Sequence, residues 1–260
     1  MQWADSMLKI MEELASESER FRHGLSLIPA SRIASQYYCE QKVEMEYTTG
    51  AIETEAKTRG EEIHESLLKM RKTTLKEIID GIQKERVYVA SFPIVAEFSN
   101  IMLAGIPDLI VFVKGQPAFI VELKTTEGDV SKLWRDQVVQ AKVYGLILEE
   151  MGFDCSRLKL AIVRHKRNGD LSKDYKREFL HSLIASLLKG TRYLAKYKKN
   201  GAFVHIINYA RTDVVPDVQW AEGYWLSKRT AIPTRKVSKC RVCEYSGSCP
   251  SSLVRLPSVG

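Results

Sequence analysis

Residues 105–125 read Gly105-Ile-Pro-Asp-Leu-Ile-Val-Phe-Val-Lys-Gly-Gln-Pro-Ala-Phe-Ile-Val-Glu-Leu-Lys-Thr125, two apolar runs around a short polar break. Near-continuous Val, Ile, Leu and Phe is the pattern of strands buried on both faces, so the stretch is a hairpin. It carries three charges, Asp108, Glu122 and Lys124. Charges in buried strands are costly unless paired, and three converging imply a shared partner, most simply a divalent cation. A phosphodiester-cleaving metal site would be built in such a place. A structural ion pair between Lys124 and the two acids is the competing reading.

Register decides whether the three can meet. Glu122 and Lys124, two apart on one strand, project from the same face. A four-residue loop, Lys114 to Pro117, pairs Asp108 with Leu123 and turns it away, whereas a three-residue loop, Gly115 to Pro117, pairs it with Lys124. The expectation is therefore an odd loop or a bulge near Pro107, which cannot donate to a ladder.

The remaining chain fits an α/β architecture. A length of 260 residues allows one sizeable core with an appended piece, divided as a helical region 1–86, a core 87–200 and a C-terminal region 201–260. A net charge of +7 favours a polyanionic partner. No apolar run reaches the ~18 residues of a membrane span, and Met1 to Leu14 reads as an acidic amphipathic helix rather than a leader, so a cytoplasmic protein without membrane contact is expected. Five cysteines there favour metal binding or burial over disulfides.

Helices are expected up to about Gln83, including Glu53 to Lys72 with Gly60 and His64. Strands follow at Val87 to Val89, Ile94 to Phe98, Ile101 to Val113 and Ala118 to Lys124. Then come a helix from Val130 to Met151, a strand from Leu158 to Arg164, and a basic helix from Asp174 to Lys199 ending at Asn200-Gly201. The order predicts a partly antiparallel sheet with helices on both sides. In the helix after the hairpin, Gln140 and Tyr144 are four apart and share a face near Gln137. Tyr at that spacing beside Val139, Val143 and Ile147 also suits a core.

Together these residues resemble the RecB-like branch of the PD-(D/E)xK, restriction-endonuclease-like nucleases. Gly60-x3-His64, Gly105-Ile-Pro-Asp108, Glu122-x-Lys124 and Gln140-x3-Tyr144 follow that family's motifs in order. The cysteines extend the resemblance. Cys39, with Cys240-x2-Cys243-x5-Cys249-Pro250 at the other end, is similar to the iron-sulfur RecB nucleases: the Cas-four exonucleases of CRISPR systems, AddB-type subunits and the exonuclease V family. Four thiolates suit a 4Fe-4S cluster, with 2Fe-2S or zinc as alternatives; zinc ribbons usually pair their knuckles closer in sequence. Cys155 is expected to be an ordinary buried thiol. No Gly-x4-Gly-Lys-Ser/Thr loop accompanies these motifs, so no helicase module is expected.

The resemblance implies Mg or Mn held by Asp108, Glu122, His64 and the Leu123 carbonyl. Lys124 would orient the attacking water or stabilise the transition state, and Gln140 and Tyr144 would position phosphate or Lys124. It implies an exonuclease on single-stranded DNA ends, five-prime to three-prime, trimming DNA for spacer acquisition beside CRISPR integrase proteins. A repair or replication nuclease like exonuclease V, and a non-catalytic nucleic-acid adaptor, are the rival roles. Candidate DNA contacts are Arg192 to Lys199 and Lys228 to Arg241, with Tyr193, Tyr197, Trp220, Tyr224 and Trp225 interleaved for base stacking.

Overall fold

The computed structural model describes residues 2–16, 20–68, 73–169, 171–190 and 201–254. At the centre lies a five-stranded sheet in the order β2 (Val87–Ala90), β5 (Leu109–Val113), β6 (Gln116–Thr126), β7 (Lys159–Lys166) and β8 (Ala202–Asn208). Strands β6 and β7 are parallel and the other neighbours antiparallel. The parallel pair needs a crossover, which helix α5 (Arg135–Glu150) supplies. A second sheet of three strands joins β1 (Ile28–Pro29) parallel to β4 (Ile101–Gly105), with β3 (Ile94–Phe98) antiparallel beyond it.

Helices cover both faces of the larger sheet, so its strands are apolar on both sides. One face (Ile110, Phe112, Ile120, Ile162) packs with α5 and with α7 (Arg211–Trp225). The other (Leu109, Val111, Val121, Val163) packs with α3 (Glu55–Leu68) through Ile63 and Leu67, and with α6 (Lys173–Lys189) through Phe179 and Leu183. The remaining helices are α1 (Gln2–Ser16), α2 (Ala30–Thr49), α4 (Leu75–Lys84) and the short α8 (Val237–Arg241).

Mixed α/β architecture with flanking helices agrees with expectation, but one predicted sheet is two. The expected strand Ile101 to Val113 breaks at Ile106-Pro107-Asp108, and its halves β4 and β5 enter different sheets. Pro107 has no N–H for a ladder, and its carbonyl accepts from Ser91 Oγ at 2.9 Å instead. The hairpin loop also differs, having only two residues, Lys114 (φ 51°) and Gly115 (φ 80°), the left-handed pair of a type I′ turn.

Such a loop by itself would set Asp108 opposite Val121 and aim it away from Glu122. A bulge corrects it. Phe112 pairs with Pro117 but Val111 with Phe119, so Ala118 is extra, and Ala118 and Phe119 both turn toward the α3/α6 side. From Val111 onward the register gains one residue, Leu109 meets Val121, and its continuation puts Asp108 opposite Glu122. The irregularity thus falls at Ala118 rather than near Pro107.

The chain ends are fastened by buried polar contacts. Glu40, 1% exposed in α2, accepts from Arg229 Nη1 and Nη2 (2.5 and 2.6 Å) and from the Ile232 amide (2.8 Å). Trp225 Nε1 donates to Gln36 at 2.6 Å. These bonds carry residues 229–232 onto α2, beside Cys39.

Candidate active site

Three elements meet at Asp108: the C-terminal half of β6, the α5 helix over its face, and α3 from the other side of the sheet. Two glycines allow the approach. A Cβ on Gly60 of α3 would stand 3.0 Å from Thr125 Oγ1, so its absence lets α3 come close to β6. A Cβ on Gly105 would lie 2.4 Å from the Tyr144 ring, which therefore occupies space that only glycine leaves.

The side chains form two polar groups, a chain from Glu122 to Tyr144 and a pair of Asp108 with His64. Lys124 Nζ contacts Glu122 Oε1 at 2.7 Å and donates to Gln140 Oε1 at 2.9 Å. Gln140 Nε2 donates to the Tyr144 hydroxyl at 2.9 Å, and that hydroxyl donates to the Ile106 carbonyl at 3.4 Å. On the other side, Asp108 Oδ2 meets His64 Nε2 at 2.8 Å and accepts from the Leu123 amide at 2.6 Å. In an extended strand a residue's N–H and C=O leave along the same edge, so the Leu123 carbonyl also faces the Asp108 side. All seven residues expected at the site, His64 included, gather here.

Electrostatics follow from burial. Glu122 is 3% exposed, and desolvation pushes its carboxyl up to about 7 against the pull of Lys124. Burial alone would lower His64 and Lys124, but Asp108 and Glu122 respectively carry each above its ordinary value. Burial likewise raises the Tyr144 hydroxyl, so it stays protonated and works as a donor.

Among the described residues no three His, Cys, Asp or Glu side chains converge at metal-holding geometry. In this arrangement Lys124 and His64 serve as the carboxylates' counter-ions. The donor set nevertheless fits a hard divalent ion, since Glu122 Oε2 is buried with no hydrogen-bond partner among the described residues. Release of the His64 proton would free Asp108 and an imidazole nitrogen beside it.

The cysteines present a second constellation. Cys39, Cys240, Cys243 and Cys249 line one pocket. Cys39 has extended backbone (φ −171°, ψ 114°) inside α2, so the helix breaks there, and its sulfur accepts from the Thr234 amide at 3.3 Å. Cys155 is buried apart from them, its thiol pushed up to about 12 by burial.

A sequence model of the PD-(D/E)XK nuclease superfamily matches residues 10–250. The chain belongs to the PD-(D/E)XK nuclease superfamily. No curated protein matches it in sequence. Similar solved structures include SSO0001, 15% identical with 98% of each chain covered and a TM-score of 0.48. Another is the alkaline exonuclease LHK-Exo from Laribacter hongkongensis, 14% identical over 84% of this chain and 91% of that one, with a TM-score of 0.44. LHK-Exo in complex with dAMP is 14% identical over 78% and 88%, with a TM-score of 0.43.

In this PD-(D/E)XK chain some expected contacts take other roles. Tyr224 and Trp225 are fully buried and unavailable to stack on bases, because their helix packs them into the core. Arg192 to Lys199, with Tyr193 and Tyr197, lies outside the described residues. Arg229 is spent on Glu40, while Trp220, Arg235, Lys236 and Lys239 line a groove. One residue escaped the sequence reading: Arg164, 2% exposed, stands beside Lys124 across the parallel strands and donates to the Lys132 carbonyl. Its signal was a cation closing an apolar run.

Proposed function

We propose that this chain is a metal-dependent DNA exonuclease of the iron-sulfur, RecB-like kind. In this reading it works on single-stranded ends, five-prime to three-prime, and trims DNA for CRISPR spacer acquisition beside integrase proteins. The observation that carries the nuclease part is the unbroken contact chain from Glu122 through Lys124 and Gln140 to Tyr144, with Asp108 and His64 opposite. A buried ion pair alone would not call for a second acid, an imidazole and an unpaired carboxylate oxygen at the same place.

Asp108, Glu122, His64 and the Leu123 carbonyl would hold Mn or Mg, the imidazole favouring Mn. The ion supplies a Lewis acid that lowers the pKa of water and neutralises charge on the scissile phosphate. Lys124, held by Gln140, presents a fixed positive charge to the developing phosphorane. Tyr144 holds Gln140 and, being protonated, positions rather than carries protons. Cys39, Cys240, Cys243 and Cys249 would hold the cluster; support comes from their shared pocket, the helix break that turns Cys39 out, and the amide donated to its sulfur. Its contribution is a tie between α2 and the C-terminal segment, not a step in cleavage.

Cleavage of end-labelled single-stranded DNA with Mn tests the reading. Asp108→Ala and Lys124→Ala should each lose at least about a hundredfold in rate, the cost of removing one transition-state charge partner. Undiminished cleavage in both refutes the assignment. A brown protein with iron and sulfide supports the cluster, and a colourless zinc protein excludes it.

A further inference from the structure

Beside the carboxylate site runs a groove of about 1070 Å³, at the top of the range for small-ligand clefts. Its walls are α2 near Tyr37, the start of α5, the middle of α7 and residues 232–242. One end abuts the site: Gln137 lines the groove one helical turn before Gln140, and the Asp136 carboxylate feels both Lys239 in the groove and Lys124 in the site.

The lining combines aromatic and cationic side chains with two prolines and the exposed aliphatics Ile232 and Val242. The Arg135 guanidinium lies 4.4 Å over the Tyr37 ring, Tyr37 and Trp220 are 4.8 Å apart, and Arg229 lies 4.6 Å over Trp220. Trp134, at the head of α5, is 50% exposed, and its ring has no aromatic or cationic partner among the described residues. Arg235 and Lys236 stand exposed on the rim, and the groove's acids are Asp136 and Asp217, the latter bound by Arg135 at 3.0 Å. Gln137 Oε1 is buried without a partner among the described residues.

We propose that this groove holds the single-stranded DNA tail on its way to Glu122. Trp134 stacks on a base, Arg235 and Lys236 meet phosphates, and Gln137 marks the passage to the site. The chemistry favours this occupant over an apolar peptide: flat aromatic surface alternating with cations matches stacked bases joined by phosphates. An aliphatic helix would want a pocket of Leu and Met. A duplex, whose bases are already stacked, gains nothing from Trp134. The inference rests on the nuclease reading for its direction, and its binding test does not depend on catalysis.

The test is fluorescence anisotropy of labelled oligo-dT with the whole 260-residue chain in chelator, so that nothing is cut. Trp134→Ala and Lys236→Glu should each weaken binding, by at least about tenfold for Trp134→Ala. Lys84→Glu, the same charge change on the exposed face of α4 outside the groove, should bind like wild type. Tryptophan emission should be quenched by oligo-dT in wild type and much less in Trp134→Ala. Unchanged affinity in both groove variants overturns the proposal, as does tighter binding of a duplex or of oligo-U through the same residues. Groove-dependent binding with no cleavage in Mn would instead retain the groove and reject the nuclease reading.

Discussion

The carboxylate site and the cysteine pocket are built in opposite ways. The first draws most of its residues from one hairpin and the helix that follows it, and its charges are already compensated by the protein's own Lys124 and His64. The second joins α2 to residues some two hundred positions later, and its thiols depend on contacts outside the pocket, chiefly Glu40 with Arg229, to stand together. A site set by strand register is hard to displace without unfolding the sheet. A site set by the meeting of chain ends can be lost while the sheet survives.

The largest expected effect probes that independence. Glu40→Ala leaves Arg229 and the Ile232 amide without their buried acceptor and should cost about 3 to 5 kcal/mol, as for a broken buried pair. Calorimetry should show the loss, and the C-terminal segment should become protease-sensitive before the sheet. Sensitivity throughout the chain at once would show that the two regions are not separable.

Next is pH dependence of the carboxylate site. Glu122 titrates near 7 in the fold against about 4.5 unfolded, so between these values the native state binds the extra proton. Stability should therefore fall as pH rises from about 4.5 through 7. His64, also raised, adds in the same direction, its contribution present below about 6.5 and lost through its folded value. Glu122→Gln should flatten the decline measured by thermal melts, and Mn at pH 8 should restore stability only with Glu122 present. A melting temperature that rises across this window equally in both proteins would contradict the burial argument.

Smaller effects test the supports. Gly105→Ala drives a methyl into the Tyr144 ring and should cost about 1 to 3 kcal/mol. Its rate should drop with it, because Tyr144 holds Gln140 and Gln140 holds Lys124. Tyr144→Phe removes only the hydroxyl that links Gln140 to the Ile106 carbonyl, so a change of about 1 kcal/mol or less is expected in melts, with a few-fold loss of rate. A larger rate loss in Tyr144→Phe than in Lys124→Ala would give the tyrosine a proton-carrying role instead.

Much of the carboxylate site was legible because its logic is periodic. Two-residue spacing put Glu122 and Lys124 on one face, and four-residue spacing put Gln140 and Tyr144 on one helix side. What stayed hidden was non-local. Ala118 bears no mark of a bulge, and only the pairing across β5 and β6 shows it. The break at Pro107 is in the sequence, but membership of two sheets is decided by what β4 and β5 pair with. Pro216 inside α7 masks that helix, so Tyr224 and Trp225 read as stacking residues beside nearby cations when packing makes them core. Trp134 gave no signal because a lone exposed aromatic has no period.

The most direct test of the account is calorimetric titration of Mn at pH 8 into wild type, Asp108→Asn and Glu122→Gln. One site is expected in wild type, taken up with Glu122 already ionised because pH 8 lies above its value near 7, and weakened at least about a hundredfold in each variant. Equal Mn binding in all three would reduce Asp108, Glu122 and Lys124 to a buried ion pair.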